Sequence, residues 1–529
     1  MNIRKPAFAA LFLAAATVLA PWYGPAIRAR AATPASAGDD LDASVKSLTA
    51  AYALVEKNFA DPVNSEKAFY QGAIPGMLHT LDPHSNFVDP TEWREMQRRM
   101  KAQYFGVGME ITMDNGKVVV TRPFPGSPAW RADMHRGDII SAVDGKDTTG
   151  MDSAAVADML RGPRGTQVRI TVKREGAPDF ISTEVTRGEI ETSIVDAFWL
   201  KPGVVYMKID SFEAQNVARD VEADLQKLGE QNVTGMVLDL RGNPGGLVNE
   251  AVAVAGRFLR DGQMVVSHRG RAEAEQVFKA HAVALAQKYP IVCLVDSRSA
   301  SAAEIVSGAL QDHDRAWVMG DTTFGKGLVQ AQFPLSEGAL LLTIAHYYTP
   351  SGRLIQRDYS NRSFFDYYYA HHDQPNMSDL KSTDSGRKVY GGGGITPDEK
   401  YPSPHYTAFQ RRLAPISFVF FHFGDQYFAG RKPALPTGWQ PDEDVMQRFK
   451  SFVKSQKIDF AEEEWNANKD WVRGEIRYEL YYRAFDKNTA DRARWQDDPE
   501  VKKGLENLPK AQSLLQQVQR VMAQRGARG

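Results

Sequence analysis

From residue 203 onward, short apolar runs alternate with amphipathic stretches. Val204–Ile209, Val233–Leu240 and Pro290–Val295 are dense in β-branched and aliphatic residues, and polar or glycine-rich segments bound them, the pattern of buried strands. Between them Val217–Leu228 and Leu247–Leu259 repeat apolar residues at helical spacing. Gln263–Val266 reads as a further strand and Ala272–Lys288 as a further helix. A helix over Ser301–Gln311 follows, with Ile305, Val306, Ala309 and Leu310 on one face. Strands resume at Ala331–Pro334 and Ala339–Tyr347. Alternation of this kind predicts an α/β core with largely parallel strands.

The flanks differ from this core. Arg4 and Lys5 precede an apolar run from Ala7 to Ala20, the length of a signal-peptide core and short for a membrane span. Small-residue sites follow at Ala29-Arg30-Ala31 and Ala35-Ser36-Ala37, and the pattern does not choose between them. Export is the expectation, into a periplasm or an equivalent space, with an uncleaved membrane-anchoring N-terminus as the alternative. Leu41–Phe59 and Ser65–Leu81 read as two helices. Residues 357–390 form a polar, aromatic insertion, and residues 401–529 add an aromatic stretch (Phe418–Phe423) and charged helical sequence. Helices of that kind pack on the body or on a second subunit, so a homodimer is one expectation; a solvated tail is the other.

Composition narrows the function. A formal net charge of −1 over 529 residues gives no electrostatic case for nucleic acid. The single cysteine, Cys293, lies in an apolar strand, so disulfides play no part. No CxxC, HExxH or phosphate-loop pattern occurs, and neither a metal nor a cofactor is implied.

The candidate chemistry lies between Ser299 and Lys326. Ser301 falls where the strand ending at Val295 gives way to a helix, beside free backbone N–H groups and the positive end of the helix dipole. Such donors stabilise the oxyanion of an acyl-transfer intermediate. Downstream, Lys326 stands between Gly325 and Gly327. A serine helix cap and a turn with a solvated lysine are the ordinary readings of the two features taken singly. No histidine has a triad context; His313 reads as a polar helix end.

The segment VDSRSASAAEIVSGALQDHDRAWVMGDTTFGKGLVQ resembles the active-site block of the carboxyl-terminal processing peptidases, or tail-specific proteases. LDPHSNF (81–87), VLDLRGNPGG (237–246), YYTPSGRLIQ (347–356) and GGITPD (393–398) resemble further family motifs in the expected order. The resemblance implies a serine endopeptidase with Ser301 as nucleophile, Lys326 as general base and Gln330 orienting the lysine. It also implies a core of the crotonase-like β-β-α spiral type. The Ala302 N–H, with Gly245 or Gly246, would form the oxyanion hole. Asp239 and Arg241 read as scaffold, a buried or half-buried charged pair that shapes the glycine loop. A lysine base must be neutral, which requires its pKa to fall from about 10.4 toward about 7–8, a cost of roughly 4 kcal/mol to the ammonium that desolvation can impose. Four strand residues from Lys326 span roughly 13 Å, so contact with Gln330 requires a bend or bulge near Gly327.

Phe105-Gly106-Val107-Gly108-Met109, with the later run Arg136-Gly137-Asp138-Ile139-Ile140, resembles a PDZ domain. Gly106, Val107, Gly108 and Met109 would capture a peptide carboxylate on backbone N–H groups and offer a strand edge to the peptide. The expected partners are protein or peptide substrates with free C-termini. The expected organisation is an α/β multidomain chain: signal peptide (1–37), N-terminal helical region (38–99), PDZ domain (100–188), Ser–Lys peptidase core (189–400) and a mainly helical C-terminal extension (401–529).

Overall fold

The computed structural model describes residues 38–90, 92–93, 105–124, 126–190, 194–281, 289–335, 338–360, 364–369, 376–402, 406–413, 418–429 and 433–526. The predicted signal peptide lies outside the described residues.

The apolar runs assemble into a six-stranded sheet in the order Val195–Lys201, Val204–Ile209, Gly235–Asp239, Ile291–Val295, Ala316–Gly320, Glu399–Lys400. The first pair is antiparallel and the rest are parallel. Val204–Ile209, Gly235–Asp239 and Ile291–Val295 are buried at every position, which explains why these runs are continuously apolar rather than alternating. On one face Met236, Leu238 and Cys293 pack with residues of the helices Val217–Leu228, Val248–Phe258 and Ala302–Asp312. On the other, Tyr206, Val237, Val292 and Leu294 pack with Val501, Leu508 and Ala511 of the C-terminal helix Pro499–Gly526. The C-terminal extension is therefore part of the core packing, and the solvated-tail alternative is overturned. The central strands could not stay in water-facing positions without it, since each aliphatic side chain contributes about 1.5–3 kcal/mol on burial.

A second sheet is antiparallel and joins Asn86–Val88, Ala339–Tyr348, Met264–Arg269 and Gln276–Lys279, with Leu328–Pro334 also on Ala339–Tyr348. This corrects two expectations. Part of the helix predicted over Ala272–Lys288 is the strand Gln276–Lys279, because the backbone groups of Met264–Arg269 offer it a hairpin partner; residues 282–288 lie outside the described residues. The LDPHSNF segment, expected in the N-terminal helical region, ends in a strand, Asn86–Val88, on the second sheet. Upstream, the helix predicted over Ser65–Leu81 is broken into Ser65–Ala68, a π turn Phe69–Ala73 and Ile74–His79. Gly72, Pro75 and Gly76 weaken the helical ladder there.

The 105–190 region forms a separate sheet of Met109–Asp114, Lys117–Pro123, Ile139–Val143, Gln167–Lys173 and Ile181–Thr186 in that order. The helix Ser153–Leu160, capped by the Asp152 carboxylate on the Ala155 N–H at 2.7 Å, buries Val156 and Leu160 against Val118, Val120, Ile140 and Ile170. The described residues between 408 and 526 are mainly helical, around Phe409, Phe423, Phe449, Trp465 and Ile476.

Candidate active site

The loops that leave two adjacent parallel strands, Gly235–Asp239 and Ile291–Val295, meet at their carboxyl ends, where open α/β sheets place their ligands. Ser299 fastens them together. Its hydroxyl donates to the Leu240 carbonyl at 2.9 Å and accepts the Asp296 N–H at 2.9 Å. Asp296 Oδ1 accepts the Gly242 N–H at 2.8 Å, and the Ala300 N–H donates to the Asn243 carbonyl at 2.9 Å. The Ser299 hydroxyl is thus committed to structure.

Ser301 follows as the residue before the helix Ala302–Asp312, with φ 53° and ψ −113°. A non-glycine residue with positive φ outside the left-handed helical basin is strained. The surrounding bonds hold it there: the Ser301 N–H donates to Glu304 Oε2 at 2.8 Å. The Ser301 hydroxyl does not cap the helix in return. Its Oγ is fully buried and makes no hydrogen bond among the described residues. The Tyr347 phenol, raised above its ordinary pKa by burial, faces it without reaching hydrogen-bond geometry.

The sequence pattern places Glu304 only within a helix; in the structure it is the centre of the site. Fully buried, it accepts the N–H groups of Ser301, Gly325 (2.7 Å) and Lys326 (2.9 Å) and the Thr323 hydroxyl (2.5 Å). One carboxylate therefore sets the serine turn and the Gly-Lys-Gly loop side by side. The Ser-x-x-Glu spacing of a capping box was the signal available in the sequence.

The Lys326 side chain keeps some accessible surface, but burial around its amine lowers its pKa to about 8, against the opposing charges of Asp82 and Glu304. A side chain on Gly327 would strike the Gln356 backbone at 2.8 Å, so the loop closes tightly around the lysine. Lys326 Nζ donates to Gln330 Oε1 at 3.3 Å. The irregularity that shortens this reach lies between Val329 and Gln330, two residues beyond the expected place at Gly327.

The glycine loop lies against the serine. A Cβ on Gly245, where φ is 98°, would come within 2.7 Å of Ser301 Cβ and 2.9 Å of the Ala302 nitrogen. Gly245 gives its N–H to Asn243 Oδ1 at 2.8 Å, whereas the N–H groups of Gly246 and Ala302 have no acceptor among the described residues. Asp239, fully buried, and Arg241, partly buried, form the expected charged pair at 2.6 Å, with Tyr206 Oη donating to Asp239 at 2.7 Å. Glu500 of the C-terminal helix joins Arg241 at 2.7 Å. His313, read as a polar helix end, does follow the helix, yet it is mostly buried and pairs with Asp384 at 2.8 Å.

Gly106, Val107, Gly108 and Met109 lie elsewhere, on the smaller sheet. Gly106 pairs with Gly188 in a short strand, and Gly108 alone has positive φ, 77°. A Cβ there would lie 2.4 Å from Ser127 Cβ. Met109 opens the strand Met109–Asp114, which is the edge of its sheet, with the helix Ser153–Leu160 beside it. Among the described residues no cluster of His, Cys, Asp and Glu has the grouping of a metal site.

A serine at a strained strand-to-helix turn, near a lysine of lowered pKa and uncommitted N–H groups, is an arrangement suited to acyl transfer. The model of peptidase family S41 matches residues 203–360, and a PDZ domain model matches 119–174. A carboxy-terminal-processing protease of Bartonella bacilliformis is 39% identical over 300 residues, covering 56% of this chain and 68% of its own. A carboxy-terminal processing protease of Bacillus subtilis is 32% identical over 336 residues, covering 62% and 69%. Among solved structures, a photosystem II D1 C-terminal processing protease shares 29% identity over 65% of this chain and 84% of its own, with a TM-score of 0.36. The chain belongs to peptidase family S41, among the carboxy-terminal processing proteases, and is a serine-type peptidase with a PDZ domain.

Proposed function

We propose that this chain is an exported endopeptidase that grips substrate C-termini through its PDZ domain and cuts near them by a Ser–Lys acyl-enzyme mechanism. The observation that carries the reading is the shared Glu304 carboxylate, which holds the backbones of Ser301 and Lys326 together. Lys326, with its pKa lowered to about 8, is neutral in roughly a tenth of molecules at pH 7. The neutral amine takes the Ser301 proton as Oγ attacks the scissile carbonyl, and returns it to the leaving amine. Gln330 orients the amine. The N–H groups of Ala302 and Gly246 receive the oxyanion, while Gly245 leaves the room the serine needs. The unpartnered Ser301 Oγ is compatible with this role, because catalytic hydrogen bonds often tighten only with substrate bound.

The crotonase-like spiral and the five-part division of the chain are adopted as part of this reading, supported by the two sheets and the helices between their strands. Peptide capture is supported by the open edge of Met109–Asp114 beside the Gly108 turn. Export is supported by the sequence of residues 1–37; among the described residues no helix is long and apolar enough to cross a membrane. A homodimer is supported by the helix Gly38–Asn58 and the residue after it, on which Leu41, Val45, Leu48, Val55 and Phe59 are all at least half exposed along one stripe. The test compares cleavage of one tailed protein ending in a free carboxylate or an amide. Faster cleavage of the acid form, with labelling by a fluorophosphonate lost in Ser301→Ala, is expected. Equal rates would leave a peptidase without tail recognition.

A further inference from the structure

We infer that the tyrosine helix Phe364–Tyr369 of the 357–390 insertion positions Gln330 through His84, and so tunes the lysine; this rests on the Ser–Lys reading above. The Gln330 side chain faces two groups. Its Oε1 accepts from Lys326, and its Nε2 donates to the His84 carbonyl at 2.8 Å. Turning the amide over would set an NH2 against the amine and an oxygen against a carbonyl, two unfavourable pairs. The His84 carbonyl therefore decides which end of Gln330 the lysine meets.

His84 is itself held from three sides. Its N–H donates to Asp82 Oδ1 at 2.7 Å, Nε2 meets the Tyr367 hydroxyl at 2.9 Å, and Nδ1 meets the Tyr368 hydroxyl at 3.3 Å. Burial and the Lys326 charge push its pKa well below the ordinary value, so the ring is neutral and carries one proton. The network assigns that proton. The Tyr368 O–H is given to the Pro83 carbonyl at 3.3 Å, so Nδ1 carries the proton and donates to the Tyr368 oxygen. Nε2 accepts the Tyr367 O–H, while the Tyr367 oxygen accepts from Gln356 Nε2 at 3.1 Å. Gln356 Oε1 accepts the Gly327 N–H at 2.9 Å, directly after the lysine. Lys326, Gln330, His84, Tyr367, Gln356 and Gly327 thus form a closed circuit, joined by these hydrogen bonds and by the Lys326–Gly327 peptide bond. A segment near residue 84 and an insertion near residue 367 close it around the lysine.

Tyr367→Phe keeps the buried ring and removes only the hydroxyl. Its kcat on a fluorogenic peptide should fall about 10-fold with KM unchanged, since small misplacements of catalytic groups cost that order. Gln330→Ala should fall further, and the double variant should match Gln330→Ala within about twofold, because both act through one group. His84→Ala, at a half-buried position, gives the same comparison should Tyr367→Phe be unstable to heat. A Tyr367→Phe enzyme at the wild-type rate, or losses that multiply in the double variant, would overturn the inference while leaving the Ser–Lys reading intact. A wild-type rate for Gln330→Ala would overturn the role of Gln330 itself, and this inference with it.

Discussion

Two partly buried cations in this protein meet opposite fates. Arg136, on the PDZ domain, lies between the rings of Phe421 and Tyr482, 4.6 and 4.5 Å from their centres, and forks onto Glu479 of the C-terminal helices at 2.9 and 2.8 Å. Burial opposes both charges. The contact wins, raising the guanidinium and, with Arg483, pulling Glu479 down to about 2. Lys326 has two carboxylates near it, yet its pKa falls to about 8. Those carboxylates are spent on other donors: Glu304 accepts from three N–H groups and a hydroxyl, and Asp82 from the N–H groups of His84 and Ser85 and the Ser85 hydroxyl. A planar fork matched to its carboxylate fastens two domains, whereas an amine facing carboxylates already satisfied stays titratable.

The largest effect expected within this comparison is loss of the nucleophile. Ser301→Ala should cut peptide cleavage by about 10⁴-fold or more, with folding and tail binding kept. Ser299→Ala should retain the chemistry but lose about 1–3 kcal/mol of stability, as its hydroxyl bridges two loops. Cleavage rates and melting curves on both variants separate the roles; a dead Ser299→Ala and a working Ser301→Ala would exchange the assignments.

Making the lysine resemble the fastener should come next. Lys326→Arg cannot supply a neutral base, and a loss of about 10³-fold is expected. In the wild type the rate should rise with pH along one limb near pH 8, because the neutral amine is the active form. An active arginine variant would reduce Lys326 to a positive charge.

Breaking the fastener should cost stability and spare the chemistry. Arg136→Met leaves Glu479 with Arg483 alone, and about 2–4 kcal/mol should be lost in denaturant titrations. The sign with pH follows from Glu479: its folded pKa lies below the unfolded one, so its stabilisation is present above about pH 4.5 and is lost as pH falls toward 2. The variant's stability deficit should shrink over that range. A deficit independent of pH would assign the loss to ring packing.

The smallest change expected is in recognition. Gly108→Val forces a β-branched residue into positive φ and against Ser127. It should slow cleavage of acid-ended substrates about 10-fold, through KM, and leave amide-ended ones unaffected. Equal slowing of both would place the damage in folding.

Much of the site was legible because its signals are local. Ser301 stands at a change from strand to helix pattern, and Lys326 stands between glycines. Glu304 was not legible as a ligand, although it occupies a capping-box position, because nothing local says that Gly325 and Lys326 will come to it. Gln330 required a bulge that only the pairing with Ala339–Tyr348 reveals. The strand at Gln276–Lys279 was missed for a similar reason: its partner, not its own periodicity, decides its state.

The sequence by itself determined the alternation of strands and helices, the serine turn, the lysine loop and the PDZ-like unit, since periodicity, capping and turn chemistry act over a few residues. The tertiary structure alone decided which carboxylates face Lys326, that residues 499–526 cover the second face of the parallel sheet, and that His84 and Tyr367 meet beside Gln330. Those outcomes depend on burial and hydrogen bonding between segments from about twenty to nearly three hundred residues apart, where desolvation sets pKa values and no local pattern records the partner.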